Sequence, residues 1–203
     1  MTDLEFWFDP VSPYAWLAFE RLPQELQGLN YSVRYRPVLF AGLLKAHAHK
    51  GPAEIGPKRE WTYRQVEWLA RRHGVQLDLP RPHPYNPLAL LRLALASAPA
   101  GGLPNRRVVD AVFRHAWCRG GADPNEPAAM AALKATIAPQ RDPDSAEVKA
   151  ELRQHTDDAL SRGLFGVPTV LAHGMPFWGF DALPMLREHL EQAAGQVPPR
   201  CNP

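Results

Sequence analysis

The sequence predicts an α/β fold interrupted by a large all-helical insertion, and three observations carry that prediction. Strand patterning is confined to the two ends of the 203-residue chain, helix patterning broken by prolines fills the middle, and the first strand runs through a helix into a second strand. Two parallel strands need such a helix as their crossover, which commits the ends of the chain to one layered domain. The boundaries follow: residues 1–40 together with 164–196 form the α/β domain, 41–163 the inserted helices, and 197–203 a flexible tail.

Each element has a local reason. Leu4 to Phe8 is a short apolar strand, and Pro13 to Leu26 is an amphipathic helix with Pro13 where a first helical residue tolerates proline. Tyr31 to Phe40 alternates apolar and polar residues and then turns wholly apolar, which reads as a strand ending beside a buried site. Gly56-Pro57 opens a long helix, Lys58 to Gly74, with Trp61, Val66, Trp68 and Leu69 as its expected core contacts and Gly74 as its stop. Four prolines keep Leu79 to Pro87 out of helix. Helices resume at Leu88 to Ser97, Pro104 to Arg119, near Glu126 to Ile137 and at Ala146 to Arg162. Gly166 to Ala172 is a β-branched strand, His173-Gly174 turns it into Met175 to Trp178, and Asp181 caps a closing helix from Leu183 to Ala194.

Composition narrows the function classes. Charged residues make up 22% and hydrophobic ones 45%, ordinary globular usage, and no apolar run reaches the roughly 18 residues that a membrane helix needs. Met1 to Glu5 lacks the basic start of a signal peptide, so the cytoplasm is the expected compartment. A net charge of +2 is too even to indicate nucleic acid, although a small anionic ligand is compatible with it. Cys118 and Cys201 are far apart and in no metal or redox spacing. His47 and His49 would point to different helix faces, and His115 with Cys118 lacks further ligands, so no metal is expected.

The order β-α-β, helical insertion, α-β-β-α is that of a thioredoxin-like fold. In such a fold the first strand-to-helix junction carries Cys-Pro-X-Cys, whereas here it reads Ser12-Pro13-Tyr14-Ala15. Ser12 occupies the N-cap position, its hydroxyl held at a positive helix end that favours a thiolate. Plain helix punctuation is the competing reading of Ser-Pro. A Ser-His-Asp hydrolase is the rival chemistry, but no Gly-X-Ser-X-Gly elbow surrounds Ser12.

Five stretches in order add a resemblance covering nearly the whole chain: Phe8-Asp9-Pro10-Val11-Ser12-Pro13-Tyr14, Gly51 to Arg59, Asn86-Pro87-Leu88, Phe165-Gly166-Val167-Pro168-Thr169, and Phe177-Trp178-Gly179-Phe180-Asp181-Ala182-Leu183. Together they resemble the 2-hydroxychromene-2-carboxylate isomerases, which with the kappa-class glutathione transferases form part of the DsbA-like thioredoxin group. The resemblance implies glutathione as cofactor and Ser12 as the catalytic donor to its sulfur. It implies that Val167, before a cis Pro168, pairs by backbone with the bound peptide. Asp181 would attract the γ-glutamyl ammonium while N–H groups of the Gly179-Phe180-Asp181 segment take the carboxylate, and Lys58 would face the glycyl carboxylate.

Two departures stand out. Phe180 and Ala182 replace a polar residue and an arginine of the family pattern, and His49 and Lys50 lie nearest the place of a missing asparagine. Tyr85 and Asn86, on the proline-stiffened loop, are the expected substrate contacts. The aromatic set Trp61, Trp68 and Trp117 reads as core.

The implied activity is a glutathione-dependent isomerisation of 2-hydroxychromene-2-carboxylate or a related α-keto acid of aromatic catabolism, by reversible thiol addition, bond rotation and elimination. A kappa-type glutathione transferase and a redox-inert thioredoxin-like peptide-binding module are the alternatives. The expected partners are a small aromatic-derived substrate and, at most, a second copy of the chain in a homodimer.

Overall fold

In the computed structural model, which describes residues 1–193 and Gly195, four strands form one sheet. These are β1 (Thr2–Phe8), β2 (Tyr31–Pro37), β3 (Thr169–Ala172) and β4 (Met175–Trp178), in the order β2-β1-β3-β4. β1 and β2 run parallel across the helix α1 (Pro13–Glu25), while β3 is antiparallel to both β1 and β4. The C-terminal ends of β1 and β4 and the start of β3 therefore lie along one edge of the sheet. The hairpin turn falls at His173 and Gly174, both at positive φ (49° and 79°), the geometry a two-residue turn requires.

Between β2 and β3 come α2 (Phe40–Ala46), a short 3-10 turn at Pro52–Glu54, α3 (Gly56–His73), α4 (Leu88–Ala96), α5 (Arg106–Trp117), α6 (Pro127–Ile137) and α7 (Ala146–Ser161); α8 (Leu183–Ala193) follows the hairpin. Asn105 and Ser145 accept backbone N–H bonds as the caps of α5 and α7, and Gly74 ends α3 in the left-handed region. The expected tail, 197–203, and Cys201 lie outside the described residues. No described helix is long and apolar enough to cross a membrane.

Alternation along the strands divides the core. Leu4, Phe6, Phe8, Val170 and Phe177 face Trp16 and Phe19 of α1, Leu186 and Leu190 of α8, and Val109, Val112 and Phe113 of α5. Trp7 and Leu171 face the opposite side, against Leu43 of α2 and Ala159 of α7. Burying each large side chain contributes about 1.5–3 kcal/mol, so the contact of α5 with the strand-and-α1 core ties the inserted helices firmly to the sheet.

Three expectations are corrected. β2 stops at Pro37, and the apolar residues after it begin α2: the Leu39 N–H donates to the Thr156 hydroxyl and the Phe40 N–H to the Asp9 carboxylate, so these groups leave the ladder. On α3 the inward stripe is Val66 and Ala70, packed on Leu17 with Leu69 partly buried beside them. Trp61 and Trp68 lie on the outer side, 56% and 49% exposed, each under an arginine, Arg64 at 4.8 Å and Arg72 at 5.3 Å from the ring centres. Trp117 is fully buried, as expected. Finally, α8 begins at Leu183, which leaves Asp181 one residue short of the cap position, and no backbone N–H donates to its carboxylate among the described residues.

Candidate active site

The strand-to-helix junction after β1 is held from all sides. Asp9 is fully buried; its Oδ1 accepts the Val11 N–H (3.0 Å) and its Oδ2 accepts the Phe40 N–H (2.9 Å). Burial pushes its carboxyl up to about 7, against the two N–H bonds that favour the charged form. The Pro10 carbonyl accepts two donors, the Tyr85 hydroxyl at 2.6 Å and the Trp117 indole N–H at 2.8 Å. The Val11 carbonyl accepts His83 Nε2 at 2.8 Å. Ser12 then caps α1: its Oγ accepts the Ala15 N–H at 3.3 Å and donates to the Val167 carbonyl at 3.4 Å. Both are long for hydrogen bonds, so the hydroxyl is free to turn toward a stronger acceptor.

Val167 and Pro168 face this junction across a cis peptide bond. Gly179, at φ +99°, donates its N–H to the Pro168 carbonyl at 2.9 Å. A Cβ at Gly179 would stand 2.5 Å from Asp181 Oδ1, so only glycine lets that carboxylate fold back over the turn. The Asp181 carboxylate is exposed and has no hydrogen bond or ion pair among the described residues, and neither its N–H nor that of Phe180 donates there. Tyr14 lies between: its hydroxyl donates to Gln65 Oε1 of α3 (2.6 Å) beside Thr62, and it senses the Asp181 charge. Burial, first, and that charge raise the Tyr14 pKa.

Ser12, Val167, Pro168, Gly179 and Asp181 thus converge on one sheet edge. Phe180 turns away, its ring 5.2 Å from that of His73 at the end of α3. Lys58 is exposed in the first turn of α3, one turn before Thr62 on the stripe that also carries Gln65.

Tyr85 is not a surface contact: it is 5% exposed and its hydroxyl is spent on Pro10. Asn86 is exposed, with Oδ1 accepting the Leu88 N–H. His83, Tyr63 and Asp9 were not singled out by the sequence; the proline density of 80–87 was the only signal that this loop is rigid enough to brace a distant strand end. His115 Nε2 donates to the Pro124 carbonyl (2.7 Å), and burial raises the Cys118 thiol to about 11, which leaves it protonated at neutral pH.

Chemically, this edge offers a serine hydroxyl at the positive α1 N-terminus, a backbone ledge at Val167 and, among the described residues, an unpaired carboxylate beside unpaired N–H groups. A family model for the DSBA-like thioredoxin domain matches residues 3–191. The chain belongs to that family. Within it, this DSBA-like chain is 29% identical over 216 residues to glutathione S-transferase kappa 1 of Rattus norvegicus, spanning 98% of this chain and 96% of that protein. It is 28% identical over 203 residues to 2-hydroxychromene-2-carboxylate isomerase of Pseudomonas sp. (strain C18), spanning 96% and 91%. Among solved structures, a 2-hydroxychromene-2-carboxylate isomerase superposes with a TM-score of 0.81 at 22% identity, covering 97% of this chain and all of that one. The relatives so named are enzymes, and the DSBA-like fold here lacks the redox dithiol, since positions 12 and 15 are Ser and Ala.

Proposed function

We propose that this protein is a glutathione-dependent isomerase of 2-hydroxychromene-2-carboxylate or a related unsaturated α-keto acid. The observation that carries the reading is the convergence of Ser12 at the α1 N-cap with Val167-Pro168 and an unpartnered Asp181 on one edge, with no cysteine at positions 12 or 15. A tripeptide thiol fits the groups left unsatisfied: a carboxylate for its ammonium, the Phe180 and Asp181 N–H groups for its α-carboxylate, and the Val167 backbone for its central peptide. When bound, glutathione supplies a thiolate that adds to the electron-poor alkene carbon, leaves a single bond that rotates, and departs as the double bond re-forms, so it is not consumed.

The residues do the rest. Ser12 turns its hydroxyl from the long Val167 contact to the sulfur, where a donor and the positive helix end together favour the ionised thiol. Asp181 and Lys58 hold the two charged ends of the ligand. The electrophile's ring is received by Phe165 and Trp178, 47% and 53% exposed with ring centres 4.9 Å apart. This pair flanks the Val167 ledge: Phe165 precedes it by two residues, and Trp178 lies over Gly166, where a Cβ would come 2.5 Å from the indole nitrogen. Because Phe177 points into the α1 core, alternation sends Trp178 to the other face, away from the Asp181 side.

Spectrophotometric interconversion of 2-hydroxychromene-2-carboxylate and its open benzylidenepyruvate isomer, with glutathione omitted or added in catalytic amount, tests the reading. Full activity without glutathione refutes it. A stoichiometric glutathione conjugate would assign the chain to the transferase alternative, which the 29% identity to the kappa enzyme keeps in view.

A further inference from the structure

Ser12 is not aimed by its own side chain, whose two contacts are 3.3 and 3.4 Å long. Its direction is set by the peptide that precedes it, and the carbonyl of that peptide, Val11 O, is held by His83 at 2.8 Å. A carbonyl only accepts, so Nε2 carries the ring proton. The other nitrogen, Nδ1, lies 2.7 Å from the Tyr63 hydroxyl, which is also 3.1 Å from the His83 carbonyl. With a neutral imidazole bearing Nε2–H, the one Tyr63 proton goes to Nδ1, the nearer of its two acceptors, and the 3.1 Å contact with the His83 carbonyl is secondary; burial, by lowering the His83 pKa, favours that form. Three rings pack around it, Tyr63 and Trp117 with centres 5.4 Å away and Tyr85 at 6.2 Å, and the last two are themselves tied to the Pro10 carbonyl.

We propose that His83 is a positioning residue for Ser12: its Nε2–H fixes the Val11–Ser12 peptide and, through Tyr63, ties that peptide to α3, the helix that carries Lys58. The proposal rests on the reading of Ser12 as donor to a bound thiol. It makes the two halves of the site one rigid unit, since the helix bearing the carboxylate-facing lysine and the loop bearing the sulfur-facing serine share one imidazole.

Three substitutions separate the two bonds. His83→Phe keeps a ring of similar size and removes both; His83→Gln places an amide nitrogen near the Nε2 position and keeps the bond to Val11; His83→Asn reaches only the Nδ1 position and keeps the bond to Tyr63. In the ligand-free protein, amide hydrogen exchange from Val11 to Ala15 should quicken by about tenfold or more in the Phe and Asn variants and stay near wild type in the Gln variant. Unchanged exchange in all three overturns the proposal, whatever glutathione does.

Turnover supplies the second readout. His83→Phe and His83→Asn should lower kcat by about 10- to 100-fold, the cost of a small misalignment, with KM for glutathione within about threefold, and His83→Gln should recover most of the loss. Intact kcat in the Asn variant overturns the proposal. If the Phe variant does not fold, the Gln and Asn pair gives the same decision. Calorimetry of wild type with glutathione is run alongside: absence of binding there refutes the reading of Ser12, while the exchange result still judges the clamp.

Discussion

Replacing Asp9 with asparagine should change how stability depends on pH, with a sign that the structure fixes. The buried carboxyl holds its proton up to about pH 7 in the folded chain, whereas an unfolded chain releases it near 3.8. Between these values the native state binds the extra proton, so stability falls as pH rises through this window. The contribution is fully present below pH 3.8 and fully lost above about pH 7. At about 1.4 kcal/mol per pH unit, wild type loses about 3 kcal/mol from this one group between about pH 5 and pH 8.

Asparagine keeps the shape but not both acceptors: its oxygen takes one N–H, while its NH2 group faces the other, where the hydroxyl oxygen of the protonated acid can still accept. That mismatch costs about 1–3 kcal/mol at every pH, so the informative quantity is the change in the gap between the two proteins with pH. From pH 5 to pH 8 that gap should move in the variant's favour by about 3 kcal/mol, because asparagine carries no charge to desolvate. Urea unfolding at both pH values, with m compared to establish that the denatured states match, reads the difference. The other titrating groups cancel in that comparison. Parallel profiles, or a gap that moves in favour of wild type as pH rises from 5 to 8, would refute the reasoning.

Other substitutions address the site directly. Ser12→Ala should lower turnover by roughly 10² to 10³, as for loss of one oriented donor to a developing anion, with glutathione affinity in calorimetry changed far less; a proportional loss of affinity would speak against the sulfur contact. Gly179→Ala combines a positive φ with a Cβ 2.5 Å from Asp181 Oδ1, and should weaken glutathione binding by about tenfold by displacing that carboxylate; unchanged binding would remove Asp181 from the site. Trp178→Ala should raise KM for the aromatic substrate, whereas Tyr85→Phe should leave it unchanged and lower the urea midpoint by the equivalent of about 1 kcal/mol. The reverse pattern would return Tyr85 to substrate contact.

What could be read from the sequence was what local rules decide. The short apolar run of β1, the Pro13 helix start, the Gly74 stop and the His173-Gly174 turn each depend on a few neighbouring residues, and each stands where the chain pattern put it. Residues 38–40 failed that test because a short apolar run reads equally as strand or helix until the acceptors that take its N–H groups are known, and those acceptors, Asp9 and Thr156, are far away in the chain. Trp61 and Trp68 misled for a different reason. Hydrophobicity alone placed them inward, but the narrow space over Leu17 admits Val66 and Ala70, and the tryptophans take the wet face under arginines. At the site, the Ser12-Pro13 junction was legible, and its bracing was not, since His83 lies 72 residues from Val11 and Trp117 lies 107 from Pro10.

Those distant contacts bear on what the inserted helices are for. Serine binds a thiolate only through a directed hydrogen bond, so its use as a donor depends on orientation far more than a covalent sulfur pair would. Orientation has to be built before the ligand arrives, because a donor that must reorganise stabilises little. Along Asp9, Pro10 and Val11, each group that could let the junction swing is taken by a partner after β2: Asp9 Oδ2 by Phe40, the Pro10 carbonyl by Tyr85 and Trp117, and the Val11 carbonyl by His83. Each such bond contributes only about 0.5–1.5 kcal/mol net, too little for any one to be indispensable to folding, yet four of them converge on three residues. The α/β domain supplies the helix end and the cis-proline ledge, while the insertion supplies their rigidity. A division at residues 40 and 164, which follows the chain, therefore cuts across the bonds of Tyr85, Trp117 and His83 to the strand-to-helix junction.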